Sequence, residues 1–309
     1  MTLTLAHLVR MSVDESMALA GAIFACRSLP HLQAHGGRPT AARLRPIADS
    51  IVAEMGFRRW LEAEGVPYHL VFADAGTLPD HPRITLGGRR VIVRARVVPD
   101  VDDGRLLQAD WPVPSRLLNS EAIGEQDLLV FACLLGHGED ESSDSSSPAG
   151  LAHWVALPTA LPWRRPRQWG PLGRLSCSSQ ASDELQVEVG GQLADRRLGS
   201  THLVLNSGST ADLGDDFYSL LYLHASPRPV GSLVLLCAAL RKPWVIPPPA
   251  WQDLRPRAAA VVLAGWLTKA GCRRAVRTAS RSLSVERLLP LAASALRPVD
   301  ELLHRMRQG

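Results

Sequence analysis

The clearest periodic signal lies in residues 46–64, where Ile47, Ile51, Val52, Met55, Phe57, Trp60 and Leu61 recur at helical spacing. Pro46 suits a first helical turn and Gly65 suits the left-handed residue that ends a helix, while Gly56 is a weak point inside it. A strand is predicted at about 68–73 (YHLVFA), followed by a polar loop at 74–82 that holds Pro and Asp. Two strand-like runs come next, RITL (83–86) and RRVIVRARVV (89–98). They are joined by Gly87-Gly88, two residues able to take positive φ and so a hairpin signal. In the second run Val91, Val93, Ala95 and Val97 fall on one face, and Ile92, Arg94 and Arg96 on the other. Residues 127–135 (DLLVFACLL) are a continuous apolar run, as expected of a strand buried on both faces.

Upstream, residues 17–26 (MALAGAIFAC) are apolar and end in Cys26. Asp14 and Glu15 precede them where a signal peptide carries positive charge, and the stretch is short for a membrane span, so an amphipathic helix is predicted. Residues 27–45 read as a connector. Residues 136–150 (GHGEDESSDSSSPAG) are acidic, Ser-rich and nearly free of apolar side chains, which predicts a flexible linker. Ahead of that linker 102–105 read as a solvated loop; beyond it 184–191 and 201–206 read as strands, 251–270 as a helix and about 284–307 as a last amphipathic helix. The expected division is therefore an N-terminal helix and connector (1–45), an α/β core (46–135), the linker (136–150) and an α+β C-terminal region (151–309).

Composition narrows this little. The chain has 309 residues, is 46% hydrophobic and 21% charged, and carries a formal net charge of +4. That is a globular composition, large enough to bury a real core. The cations are unusual in kind: of 34 Lys and Arg, only Lys242 and Lys269 are Lys. Arg pairs bidentately with phosphate and stacks on aromatic rings, so the bias suits a nucleic-acid partner; codon usage in a GC-rich genome produces the same bias. Five Cys at wide spacing, with no CxxC, fit reduced thiols. No run reaches 18 uninterrupted apolar residues, which points to the cytoplasm and away from a membrane.

The order helix, strand, loop, hairpin, strand over 46–135 resembles the core of the restriction-endonuclease-like, PD-(D/E)XK superfamily. That resemblance implies a mixed-sheet α/β core in which carboxylates hold one or two divalent metals and a Lys helps orient the attacking water. Glu54 stands at the helix position, Pro79-Asp80 matches the PD element, and the third-strand triplet reads Ile92-Val93-Arg94. No Asp/Glu-x-Lys triplet occurs anywhere in the chain. Ile92 cannot ligate a metal, and Arg94 stands in place of Lys. Glu54, Asp80 and Arg94 are thus a vestigial catalytic set, and Arg83, Arg89, Arg94 and Arg96 form a surface that repels a divalent cation and attracts phosphate. The resemblance implies a degenerate nuclease-like protein that binds nucleic acid or a partner subunit, in a phage-defence or genome-maintenance setting. The alternatives are an active Mg-dependent nuclease using Glu54, Asp80 and a further carboxylate such as Asp74, or a scaffolding subunit without nucleic-acid binding. A protein partner and self-association both stay open.

Outside that segment, PWRRPRQW (162–169) places Trp163, Arg164, Arg165, Arg167 and Trp169 together, a candidate single-strand or backbone contact. The same run also reads as a Pro-rich connector. Residues 273–281 (RRAVRTASR) carry four Arg and suit either phosphate or the solvated end of a helix. The His residues are scattered, no zinc spacing or HExxH occurs, and no metal site or cofactor is expected apart from Mg if the nuclease alternative holds.

Overall fold

The structure is a computed structural model, and it describes residues 3–29, 40–71, 83–99, 103–108, 110–136, 153–157, 176–179, 184–195, 197–206, 208–213, 217–226, 228–236, 243–254, 258–276 and 288–308. The fold is mixed α/β. The chain divides into two compact units, and neither is continuous. The first comprises Met1–Val13, Asp49–Glu141 and Arg257–Gly309; the second comprises Asp14–Ala48 and Ser142–Pro256.

The first unit is built on a six-stranded sheet of order β1-β16-β6-β4-β3-β2. These strands are β1 (Val9–Ser12), β2 (His69–Val71), β3 (Arg83–Leu86), β4 (Arg89–Pro99), β6 (Leu128–Gly136) and β16 (Ala258–Thr268). All nine residues of β6 are buried, as its unbroken apolar run predicts. The reason is now visible: β4 pairs with it in parallel on one side and β16 antiparallel on the other. The β3–β4 hairpin turns at Gly87 (φ 55°) and Gly88 (φ 72°), with Leu86 opposite Arg89 and Thr85 opposite Arg90. Two successive positive φ values match the twist of a two-residue hairpin, and glycine supplies them without strain.

Two layers cover the sheet. On one face lies α2 (Ala41–Ala63), whose Gly56 abuts the Val261 side chain of β16 so closely that a Cβ would stand 3.0 Å from it. The weak point in the helix is therefore the point of closest approach. The opposite face carries a core of Leu129, Phe131 and Cys133 from β6 with Val262 and Ala264 from β16. It is closed by Leu106 of α3 (Asp103–Gln108), Trp111 and Val113 of β5 (Trp111–Pro114), Leu118 of α4 (Ser115–Asn119) and Leu291 of β17 (Leu288–Leu291). Phe131 meets Trp111 edge-on at 5.3 Å. A side chain of this size, fully buried, contributes roughly 1.5–3 kcal/mol.

Three expectations need correction. The helix predicted over 251–270 is mostly the strand β16, followed by the short helix α5 (Lys269–Ala275). Residues 258–267 are buried throughout except Ala259, so the run shows neither helical nor strand periodicity, and pairing with β1 and β6 decides its conformation. Residues 103–105, read as loop, open α3 because Leu106 is drawn into the core. In the last segment, among the described residues, the α-helix is confined to α6 (Val299–Gln308), with β17 and a single 3-10 turn at Ala293–Ala295 ahead of it. The long helix also starts before Pro46, which is its sixth residue. Thr40 accepts from the N–H groups of Arg43 and Leu44, and burial of Leu44 holds the extra turn in place. Gly65, at φ 64°, ends the helix as the sequence predicts, and the next N–H, of Val66, closes on Leu61.

The second unit is a pair of antiparallel sheets and a helix. One sheet has the order β10-β9-β12-β7-β15 and the other β11-β8-β13-β14. The strands of the first are β7 (Trp154–Ala156), β9 (Leu185–Gln192), β10 (Leu198–Leu205), β12 (Ser219–Ala225) and β15 (Gln252–Asp253). Those of the second are β8 (Ser176–Ser179), β11 (Thr210–Asp212), β13 (Leu233–Leu236) and β14 (Trp244–Ile246). One core joins Val187, Leu203 and Leu223 to Leu233, Leu235 and Ile246. The other side of the larger sheet packs Val155, Leu221 and Tyr222 against Ala22, Ala25 and Cys26 of α1 (Glu15–Arg27). The Asp14 carboxylate caps α1 by accepting from the Met17 N–H at 3.1 Å. Among the described residues no helix is long and apolar enough to cross a membrane. The linker (136–150) and the Trp/Arg run (162–169) lie outside the described residues, Gly136 excepted, which ends β6.

Candidate functional site

Strand alternation sorts the arginines of β4. Ile92 and Val98 pack against the Trp111 core, and the parallel register sets Arg94 beside Phe131 and Arg96 beside Cys133, so Arg94 and Arg96 stand on that face. They differ in what they meet. The Arg96 guanidinium lies 4.2 Å above the Trp111 ring, donates from Nη1 to the Asp110 carbonyl at 3.0 Å and from Nε to the Cys133 Sγ at 3.5 Å. Its Nη2 is buried as well. Arg96 is spent on packing, a cation–π contact worth about 0.5–2 kcal/mol, and is not available to a phosphate.

Arg94 is half-buried, and no carboxylate among the described residues pairs with it. Burial, and after it the neighbouring Arg116 guanidinium, lower its affinity for the proton. Arg116 itself is exposed on α4. Two like charges beside an apolar surface, with no counter-charge among the described residues, make a local positive potential suited to a phosphate oxygen. Arg89 flanks the glycine turn at the head of the same strand, half-buried. Beside it, Arg90 is held by its N–H to the Asp127 carboxylate (3.2 Å) and by Nη1 to the Ala122 carbonyl (3.2 Å).

Of the residues expected as a vestigial catalytic set, Glu54 and Arg94 are not brought together. Glu54 rides on α2, whose Gly56 packs on the Val261 face, whereas Arg94 stands on the opposite face of the sheet. The sheet separates the two. Asp80 and Asp74 lie outside the described residues, as do Trp163, Arg164, Arg165, Arg167 and Trp169; of Arg83, only the backbone is described, opposite Val71. Ile92, where a second carboxylate would stand, is partly buried and packed against that core. Among the described residues no group of three or more His, Cys, Asp and Glu could hold a metal ion.

The second unit contains a polar cluster that the scatter of His along the chain conceals. Glu188 of β9 stands directly opposite His224 of β12, and Tyr222 follows two residues away on the same strand. The Tyr222 hydroxyl donates to Glu188 Oε1 at 3.0 Å, and His224 Nδ1 lies 3.7 Å from Glu188 Oε2, an electrostatic contact beyond hydrogen-bond reach. His153 stacks on His224 at 5.2 Å between ring centres, with Nδ1 3.1 Å from His224 Nε2. Glu188 and His153 are 3% and 2% exposed, and Glu188 Oε2 and His153 Nε2 have no hydrogen-bond partner among the described residues. Burial alone would raise the Glu188 carboxyl, but His224 and the Ser200 and Tyr222 hydroxyls outweigh it and hold the group at about 2. Burial and then His224 lower His153 to about 4, against a small opposing pull from Asp253. Burial, and then the Glu188 charge, push the Cys26 thiol well up, so it is inert. The signal that could have found this cluster is the acid inside the apolar strand LQVEVGG, together with the i,i+2 spacing of Tyr222 and His224.

No protein-family model, curated protein or solved structure matches this chain.

Proposed function

We propose that the chain is a nuclease-like protein that binds nucleic acid through the arginine-bearing face of its six-stranded sheet and does not cleave it. The order α2, β2, the β3–β4 hairpin and then β6 supports the resemblance to the restriction-endonuclease-like core. The observation that carries the binding reading is Arg94: a half-buried guanidinium beside Arg116, with no carboxylate partner among the described residues. A half-buried guanidinium without a counter-charge among the described residues keeps its donors available to an anionic ligand. Loss of catalysis is supported by Ile92 packed against the core and by the sheet lying between Glu54 and Arg94.

The test is a binding titration with labelled duplex and single-stranded oligonucleotides at 50–200 mM salt. Duplex affinity is expected to fall with salt at a slope of about 0.9 per phosphate neutralised. Arg94→Ala and Arg116→Ala should each weaken binding on any sequence and reduce that slope by about one. No binding at low salt, or wild-type binding by both variants, overturns the proposal. Incubation with Mg²⁺ or Mn²⁺ should leave both substrates intact; cleavage abolished by Asp80→Ala would restore the nuclease alternative.

A further inference from the structure

We propose that a cavity at the end of β16, on the first unit, binds a phosphate group through Arg274, Arg297 and Arg305. The cavity has a volume of about 190 Å³, and among the described residues its lining includes those three arginines, Gln126 and Thr268 but no acidic residue. The three guanidinia come from separate places in the fold: Arg274 from α5, Arg297 from the segment before α6, and Arg305 from α6.

Two of the three are held in place before any ligand arrives. Trp266 and Arg297 exchange backbone hydrogen bonds at 2.9 and 3.0 Å, and the Trp266 indole N–H donates to the Pro298 carbonyl at 3.0 Å. Gly265 makes this approach feasible: a Cβ there would lie 2.7 Å from the Arg297 carbonyl oxygen, and its φ of 155° is one that other residues rarely adopt. The buried Trp266 ring then forms a floor, with the Arg297 and Arg305 guanidinia at 5.6 and 5.4 Å from its centre. Glu301 Oε1 accepts from both, at 3.0 and 2.9 Å, and so fixes their spacing.

One carboxylate therefore orders two cations and leaves an excess of positive charge. Arg274 adds a third cation, exposed, with no carboxylate partner among the described residues. Thr268 Oγ1 accepts from the Gly271 N–H at 3.0 Å, which leaves the hydroxyl hydrogen free to donate into the cavity. Preordered guanidinia on an aromatic floor, an open third guanidinium and a neutral donor match the several acceptor oxygens of a phosphate better than a carboxylate or an apolar ligand. The phosphate can arrive free, as a small phosphomonoester, or on the end or backbone of a nucleic acid. This site is distinct from the Arg94–Arg116 surface and does not depend on it.

Calorimetric titration of the full chain with inorganic phosphate at low ionic strength tests the assignment. A second arm uses one oligonucleotide with and without a 5′-phosphate. Binding should weaken at least tenfold in Arg274→Ala, and in the same direction in Arg305→Gln on the neighbouring helix, while Arg197→Ala on the other unit leaves it unchanged. Thermal melting of each variant checks that it folds, and Arg274, being exposed, is expected to melt as wild type when replaced. Binding of inorganic phosphate that depends on Arg274 identifies a free phosphate ligand. Arg274-dependent binding of the oligonucleotides alone identifies nucleic acid as the source, with the 5′-phosphate arm separating end from backbone. Absence of binding in both arms, or binding that Arg274→Ala does not alter, overturns the proposal. Arg94 does not line this cavity, so a loss of binding that follows Arg274 but not Arg94 tests this site separately from the nucleic-acid reading.

Discussion

Single residues in this fold take their meaning from the atom opposite them. Gly190 is an example: a Cβ there would meet the Tyr222 ring at 2.1 Å, so glycine at this position is what lets the tyrosine reach Glu188. Gly190→Ala is expected to cost about 1–3 kcal/mol or more, read as a lowered urea midpoint, because the ring must leave its bond to the buried carboxylate. The same cluster sets the acid response. His153 binds its proton at about 4 in the folded chain against an ordinary 6.5, so between those values the unfolded chain holds more protons. Stability is then fully present above about pH 6.5 and declines as pH falls toward 4, by a few kcal/mol. Glu188, lowered to about 2 from 4.5, acts in the same direction over the next interval down. Urea midpoints measured from pH 7 to 4 should fall in the wild type and flatten in His153→Asn. A flat wild-type profile would remove His153 from this account.

At the scale of elements, the strands of the first unit are tied at their ends by a few polar anchors. Lys269, the first residue of α5, is 2% exposed, and its ammonium donates to the carbonyls of Ser120 and Ile123, both at 2.7 Å. It holds the 120–125 turn against the end of β16. Lys269→Met should cost about 1–3 kcal/mol, because two carbonyls lose their donor, and hydrogen exchange should speed up in that turn first. The elements also show where pattern reading succeeds. The hairpin was legible because Gly87-Gly88 sits between two alternating runs, and β6 because Asp127 and Gly136 bracket its apolar run. β16 was not legible: an Ala-rich, wholly apolar run suits a helix by composition and a strand by burial, and only its two neighbours settle the matter.

For the whole molecule, the consequence of the fold is that remote segments share one sheet. β1, from the first residues of the chain, and β16, from the last quarter, complete the sheet that β2, β3, β4 and β6 begin. A split at 135 therefore cuts the first unit: a fragment of residues 46–135 leaves one edge of β6 unpaired and its core without Val262, Ala264 and Leu291. Such a fragment is expected to be insoluble or unfolded by circular dichroism, whereas the full chain folds. The candidate sites behave alike. The arginine bias was plain from composition, yet which arginines stay open depends on the fold: Arg96 is consumed by Trp111, Arg94 is not, and Arg274, Arg297 and Arg305 meet around one cavity.

By itself the sequence determined the local facts: the helix end at Gly65, the hairpin turn, the double burial of β6, and the absence of an Asp/Glu-x-Lys triplet. These rest on φ restrictions, side-chain alternation and residue chemistry, which act over a few positions. The tertiary structure decided everything that depends on two distant segments meeting. It made 258–268 a strand, set the sheet between Glu54 and Arg94, and joined His153, Glu188 and His224. The physical reason is the same in each case. Partner strands, counter-charges and hydrogen-bond partners are supplied by residues far away in the chain, and no local pattern encodes which of them will arrive.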